Sequence, residues 1–132
     1  MRLATVKDLP ALVGMAKAFH DATSPEWPWS EQGVSDTFAA VIDTGFVSIS
    51  SGGFIAGAIH PHPLSPSWVQ AHELLWWATD RSGPRHANAF RQWAIDQGAN
   101  EIKWSCRADN DRVQAFYRKF SQPVEAVYSE LV

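Results

Sequence analysis

The sequence predicts an α/β fold in which a mixed sheet is covered on both faces by helices. Three observations predict it. Segments with strand patterning alternate with segments at helical spacing along the 132 residues. The run "ELLWWA" is apolar on both faces, as a central strand is. A helical segment follows it and leads into another strand, the pattern of a right-handed crossover between neighbouring strands. No repeat, low-complexity tract or linker interrupts the series, and the length suits a single domain spanning 1–132.

The elements follow in order. "RLATV" (Arg2 to Val6) reads as a short first strand, and Leu9, Leu12, Val13, Ala16 and either Phe19 or His20 then recur at helical spacing. Thr5 and Asp8 have the spacing of a capping box, but that register carries Pro10 deep into the helix. Asp8 as N-cap keeps Pro10 in the first turn, where a missing N–H costs little, and is preferred. "TSPEWPW" breaks the pattern with two prolines, and a second helix starts after Ser30 with Val34, Phe38, Val41 and Ile42 on its apolar face. "FVSIS" and "FIAGAI" flank "SGG" as a β-hairpin. "HPHPLSPSW" is a proline-rich connection, unsuited to a central strand. The strand Val69 to Thr79 comes next. The helix from Pro84 to Gln97 aligns Ala87, Phe90, Trp93 and Ala94, with Gly98 as its stop. "EIKWSC" alternates, putting Ile102, Trp104 and Cys106 on one face. Val113, Phe116, Tyr117 and Phe120 make a last helix behind the cap candidates Asp109 and Asn110, and "PVEAVYSEL" closes the chain as a strand. The order is β-α-α-β-β-β-α-β-α-β.

Composition excludes several classes. A net charge of −3 with 11 Lys and Arg leaves no basic patch for nucleic acid. The lone Cys106 excludes an internal disulfide and fits a reducing compartment. No apolar run is long enough to span a bilayer, and "MRLATVKDLP" lacks a signal-peptide core, so a cytoplasmic protein without a membrane partner is expected. Seven tryptophans exceed what one core can hold, so some are expected in a groove or a subunit contact, and a homodimer is a candidate assembly.

The element order and three local motifs resemble the GNAT family of acyl-CoA-dependent N-acetyltransferases, and the resemblance covers nearly the whole chain. In "NDRVQAFYRKF", Asn110, Tyr117 and Lys119 keep the family's spacing, although Ser121-Gln122 stands where the family has Gly-Phe. In "HELLWWA", Glu73 sits four residues before Trp77, as a family general base often does. Strand alternation puts Glu73, Leu75 and Trp77 on one face. The third motif is "ATDRSGPRHANAF", at the place of the family's phosphate loop. Neither Gly83 nor Arg81 brings the signature glycines into register, but a helix opening at Gly83-Pro84 aims unpaired N–H groups and a positive dipole end outward. Arg81, Arg85 and His86 add positive charge there.

The resemblance implies a mostly antiparallel central sheet flanked by helices, with acetyl-CoA as cosubstrate and no metal. It implies a direct attack by a primary amine on the thioester. Glu73 or a water chain would take the amine proton, because an alkyl ammonium has no lone pair to attack with. A backbone N–H near Trp77 or Ala78 would hold the thioester carbonyl. Arg81, Ser82, Gly83, Arg85, His86 and Ala87 would cradle the pyrophosphate, Asn110 would touch the pantetheine arm, and Tyr117 would protonate the leaving thiolate. In the "PEWPW" loop, Trp27 and Trp29, held by Pro25 and Pro28, would wall the acceptor site with Glu26 attracting an amine; packing on the domain or a dimer contact is the alternative. The acceptor is a small molecule or a peptide. A GNAT-like domain without catalysis, serving as an acyl-CoA-binding or interaction module, is the rival reading.

Three other features carry less. His60, Pro61 and His62 lack a metal-ligand spacing, and no metal is expected. Cys106 reads as a buried thiol without a nucleophile's partner, and Ser82 has no flanking glycines at hydrolase spacing.

Overall fold

A computed structural model of the chain describes residues 1–23 and 26–132. Pro25, expected to stiffen the tryptophan loop, lies outside the described residues. Strand β1 (Arg2–Leu3) precedes a 3₁₀ turn (Val6–Asp8), helices α1 (Leu9–Thr23) and α2 (Glu31–Thr44), and strands β2 (Phe46–Ser50), β3 (Gly53–His62) and β4 (Ser65–Ala78). Helix α3 (Gly83–Asp96), strand β5 (Glu101–Lys103) and helix α4 (Asp111–Tyr117) follow. The sheet runs β1-β2-β3-β4-β5, antiparallel throughout except for the parallel β4–β5 pair made by the α3 crossover.

Local signals set several boundaries. The Ser30 hydroxyl caps α2 by accepting from the Gly33 amide at 3.1 Å. Asn110 Oδ1 caps α4 by accepting from the Val113 amide at 3.1 Å. Gly98, at φ +79°, takes the left-handed conformation that ends α3.

Elsewhere tertiary context overrides the local reading. The first strand is only Arg2–Leu3, because the chain turns at Thr5. Asp8 is not an N-cap. Its carboxylate accepts from the Thr5 amide at 2.8 Å, and Asp8's own amide donates to the Thr5 carbonyl at 2.9 Å. The resulting 3₁₀ turn leads straight into α1, so Pro10 still falls in the first α-helical turn. The carboxylate also forms a forked pair with Arg2, at 2.7 and 2.6 Å.

"HPHPLSPSW" is not a connection between elements but the end of the long β3–β4 hairpin. Pro61 fits because β2 ends opposite Gly57, leaving His60–His62 on a free edge where a missing amide costs no ladder bond. Strand β5 stops at Lys103, so alternation no longer governs Cys106, which is exposed. The expected closing strand does not form: residues 118–132 contain no strand, and Val127 and Tyr128 are over 90% exposed.

Two apolar layers sandwich the sheet. Leu12, Ala16, Phe38, Val47, Ile49, Phe54 and Ala56 join α1 and α2 to one face. Phe46, Ile55, Ala71, Phe90 and Ala94 join α3 to the other. A bulge in β4 decides which face its side chains take. Ala56 pairs with Leu75 while Gly57 pairs with Glu73, so Leu74 is the extra residue. Strict alternation is broken there. Leu75 and Trp77 face α1 and α2, whereas Glu73 shares the α3 side with Gly57 and Phe90. The expected common face of Glu73, Leu75 and Trp77 is therefore corrected by one inserted residue.

Gly57 is required for close approach rather than for its backbone angles. A methyl group there would lie 2.2 Å from Phe90 Cε2, in a ring that is fully buried. Gly57→Ala is expected to destabilise the fold by about 2 kcal/mol. Gly14→Ala, on an open position of α1, is expected to stabilise it by about 1 kcal/mol. Urea denaturation of the two variants reads both signs, and a Gly57→Ala protein as stable as the parent would refute the packing account.

Candidate active site

Strands β4 and β5 pair over three registers, from Gln70 with Glu101 to His72 with Lys103, and then separate. The opening is where the chemistry-bearing side chains gather. Glu73 is the first β4 residue past the last pair, and Ser105 stands two residues past it on the β5 side. The Ser105 amide donates to Glu73 Oε2 at 3.2 Å, and its hydroxyl lies 3.3 Å from the same oxygen and 3.4 Å from the Glu73 carbonyl. Tyr117, the last residue of α4, places its hydroxyl 2.9 Å from the Ser105 carbonyl and 3.4 Å from Glu73 Oε2.

The Tyr117 ring is held by aromatic packing. It stacks on Trp76 with centroids 6.0 Å apart and meets Trp104 at 5.5 Å. Phe116 and Phe120 extend the cluster over both. These contacts explain why α4, only seven residues long, is fixed: its aromatic face has Trp76 of β4 and Trp104, just past β5, to bury against.

Burial sets the electrostatics. Glu73 is 6% exposed, and desolvation raises its carboxyl from the ordinary value of 4.5 to about 7, against the opposing hydrogen bonds from Ser105 and Tyr117. Burial, with the Glu73 charge adding to it, also drives the Tyr117 phenol well above its ordinary value. At neutral pH the carboxyl is poised between its two states while the phenol is protonated.

The loop between β4 and α3 is tied down by a second polar group. The Asp80 carboxylate accepts from the Gly52 amide at 3.0 Å, the Ser50 hydroxyl at 2.9 Å, and both the amide and the hydroxyl of Ser82. His86 is fully buried, its ring nitrogens 2.6 Å from the Ser48 hydroxyl and 3.1 Å from that of Ser50. Burial lowers its pKa, so it stays neutral. Arg81, at φ +64°, takes the left-handed conformation that this tether imposes.

Of the loop residues anticipated for the pyrophosphate, Ser82 and His86 thus face inward and are bonded within the protein, and Gly83 and Ala87 are buried. Arg81 and Arg85 are exposed and form no ion pair among the described residues. The buried Trp76 Nε1 has no hydrogen-bond partner among the described residues. It lies beside the space a side chain at Gly83 would occupy.

The remaining anticipated residues lie elsewhere. Asn110 is committed to capping α4. Trp77 packs on Phe19 of α1 at 5.7 Å, and Trp29 meets His20 at 5.4 Å, both on the α1–α2 face. Trp27 is exposed, with its carbonyl 2.5 Å from His20 Nε2, and Glu26 is exposed beside it. Arg107 spans the two sides by donating to the Thr23 carbonyl at 2.6 Å. Glu73 and Tyr117 therefore come together on one face, and the tryptophan loop belongs to the other. Sequence reasoning missed Ser105 and Asp80. Asp80 followed by Ser82 carried the mark of a local side-chain turn, but nothing local marked Ser105.

Burying Glu73 has a cost that depends on pH. The unfolded carboxyl ionises near 4.5 and the folded one near 7, so between these values only the unfolded state gives up its proton. Stability therefore falls as pH rises from 4.5 to 7 and is level above. Glu73→Gln is expected to stabilise the protein by up to about 3 kcal/mol at pH 8 and negligibly at pH 4.5. Denaturation curves at the two pH values check this, and equal gains at both would contradict a raised Glu73.

No protein-family model matches the chain, and no curated protein matches it by sequence. Solved structures do match. A mutant Bacillus halodurans protein aligns at TM-score 0.77 and 18% identity, over 99% of this chain and 97% of that one. An aminoglycoside acetyltransferase from an uncultured soil metagenomic sample aligns at 0.70 and 14%, over 99% and 95%. A ribosomal-protein-alanine N-acetyltransferase from Brucella melitensis biovar Abortus aligns at 0.68 and 6%, over 98% and 95%. With its mostly antiparallel five-stranded sheet between helices, the chain has the fold of the GNAT acetyltransferases.

Proposed function

We propose that the protein is an acetyl-CoA-dependent N-acetyltransferase acting on a primary amine. The observation that carries this reading is the meeting of Glu73 and Tyr117 at the point where β4 and β5 separate. One group there is raised so that it can accept a proton near neutral pH, and the other is a protonated phenol with a proton to give.

The steps follow from those two groups. The amine enters the opening as a cation and loses one proton to solvent to become a nucleophile. It attacks the thioester carbonyl, forming the C–N bond, and Glu73 takes the proton that the nitrogen then carries. A main-chain N–H of β4 near Trp77 or Ala78, past the reach of β5, holds the oxygen as it gains charge. The C–S bond breaks, and the thiolate takes the Tyr117 proton. Arg81, Arg85 and the opening turn of α3 hold the CoA phosphates, and holding both substrates together supplies proximity without a covalent enzyme intermediate. The acceptor is a small molecule or a peptide end.

The Asp80 carboxylate, which takes the Ser82 amide and hydroxyl at the head of α3, favours a second reading. A loop closed by its own anion suits a GNAT-like module that binds partners or acyl-CoA without turnover. Calorimetric titration with acetyl-CoA, followed by a thiol-release assay over a panel of amines, separates the two. Turnover supports the enzyme; binding without turnover on the whole panel supports the acyl-CoA module; no binding removes both the enzyme and the acyl-CoA module.

In the active enzyme, Tyr117→Phe is expected to lower kcat by about 10²-fold with little change in the KM for acetyl-CoA. An unchanged kcat would take Tyr117 out of the mechanism. The activity limb on the acid side is expected near pH 7, because Glu73 accepts a proton only when ionised. A limb near pH 4.5 would exclude Glu73 as the base.

A further inference from the structure

The donors around Glu73 are unevenly shared. The Ser105 amide, the Ser105 hydroxyl and the Tyr117 hydroxyl all converge on Oε2, at 3.2, 3.3 and 3.4 Å, and Oε1 has no partner among the described residues. Two of the three donors belong to one residue, and that residue's carbonyl is also the shorter contact of the Tyr117 hydroxyl, at 2.9 Å. Ser105 thus touches both groups through three of its own atoms. Its hydroxyl has one hydrogen to share between Glu73 Oε2 and the Glu73 carbonyl, so it restrains the side chain and the strand edge together.

We infer that Ser105 is a positioning residue that pins Glu73 Oε2 through its amide and hydroxyl and seats the Tyr117 hydroxyl on its carbonyl, leaving Oε1 free to take the amine proton. The inference rests on the acetyltransferase reading for its catalytic meaning. It adds a route by which the site resets. After Tyr117 has given its proton to the thiolate, the phenolate takes a proton from solvent, and Glu73 releases the amine proton from Oε1 to solvent. The protons balance: the nitrogen gives up two, one directly and one by way of Glu73, and solvent returns one to Tyr117 for the one given to sulfur. A Glu73 held by fewer donors would swing both oxygens into the opening and lose register with the phenol.

The Ser105→Ala and Ser105→Thr variants test this. The Ser105 hydrogen bonds hold the Glu73 pKa down against burial. Removing the hydroxyl is therefore expected to move the Glu73 titration up by about 0.5 to 1 pH unit, read by NMR of carboxyl-labelled protein with Glu73→Gln to assign the signal. The acid limb of kcat should move with it, lowering kcat at pH 6.5 by about 3- to 10-fold while the KM for acetyl-CoA stays constant. Ser105→Thr, which keeps the hydroxyl, should return both readouts to the parent values. Thermal melting confirms that the variants fold. A Glu73 titration unmoved in Ser105→Ala overturns the proposal, as does a limb that Ser105→Thr fails to bring back. The NMR readout does not need turnover. If Glu73 shifts in a protein that acetylates no amine, Ser105's hold on Glu73 is supported and the acetyltransferase reading is the one overturned.

Discussion

The parting of β4 and β5 after three paired residues is the constraint on which the rest depends. A parallel pair needs a crossover, and α3 supplies it, its apolar stripe buried on the sheet through Ala87, Phe90 and Ala94. Had the two strands stayed paired, β5 would have satisfied the β4 edge and filled the place where Glu73 meets Ser105. Their divergence leaves main-chain groups of β4 without a strand partner and opens a space that side chains must line. The bulge at Leu74 lies at the same point and turns Glu73 toward that space. One added residue thereby decides which side of the sheet the carboxylate takes.

A carboxylate in that position survives because its surroundings are both apolar and specific. Trp76, Trp104, Phe116, Phe120 and Tyr117 form a connected aromatic group whose burial anchors α4. Tyr117 of this group lies against Glu73, and burial is what raises the carboxyl. The packing that fixes Tyr117 therefore also sets its hydroxyl beside a buried carboxyl.

The β4–α3 loop shows another solution to a similar problem. Ser48, Ser50, Asp80, Ser82 and His86 form a hydrogen-bonded chain that ties the β2–β3 turn to the head of α3. A glycine-rich loop obtains its shape from backbone freedom. This one obtains it from a carboxylate that accepts several donors, and it carries a non-glycine residue, Arg81, through the left-handed conformation.

What the sequence determined alone was whatever depends on neighbours in the chain. Periodicity located four helices and most strands, Ser30 and Asn110 announced the caps they form, and Gly98 announced its stop. The spacing of Glu73 and Tyr117 was legible as well, although not that their side chains would touch. Tertiary structure decided the rest. The bulge that separates Glu73 from Leu75 and Trp77 lies opposite Gly57, sixteen residues before Glu73, where Phe90 of α3 packs against the sheet. Ser105 joins the site only because two strands separate there, a relation between segments 32 residues apart. "PVEAVYSEL" has the pattern of a strand and forms none, since a strand needs an edge to pair with and alternation describes only one side of that contract. Local pattern fixes what a segment can become; the partners that it meets fix whether it does, and which way its side chains face.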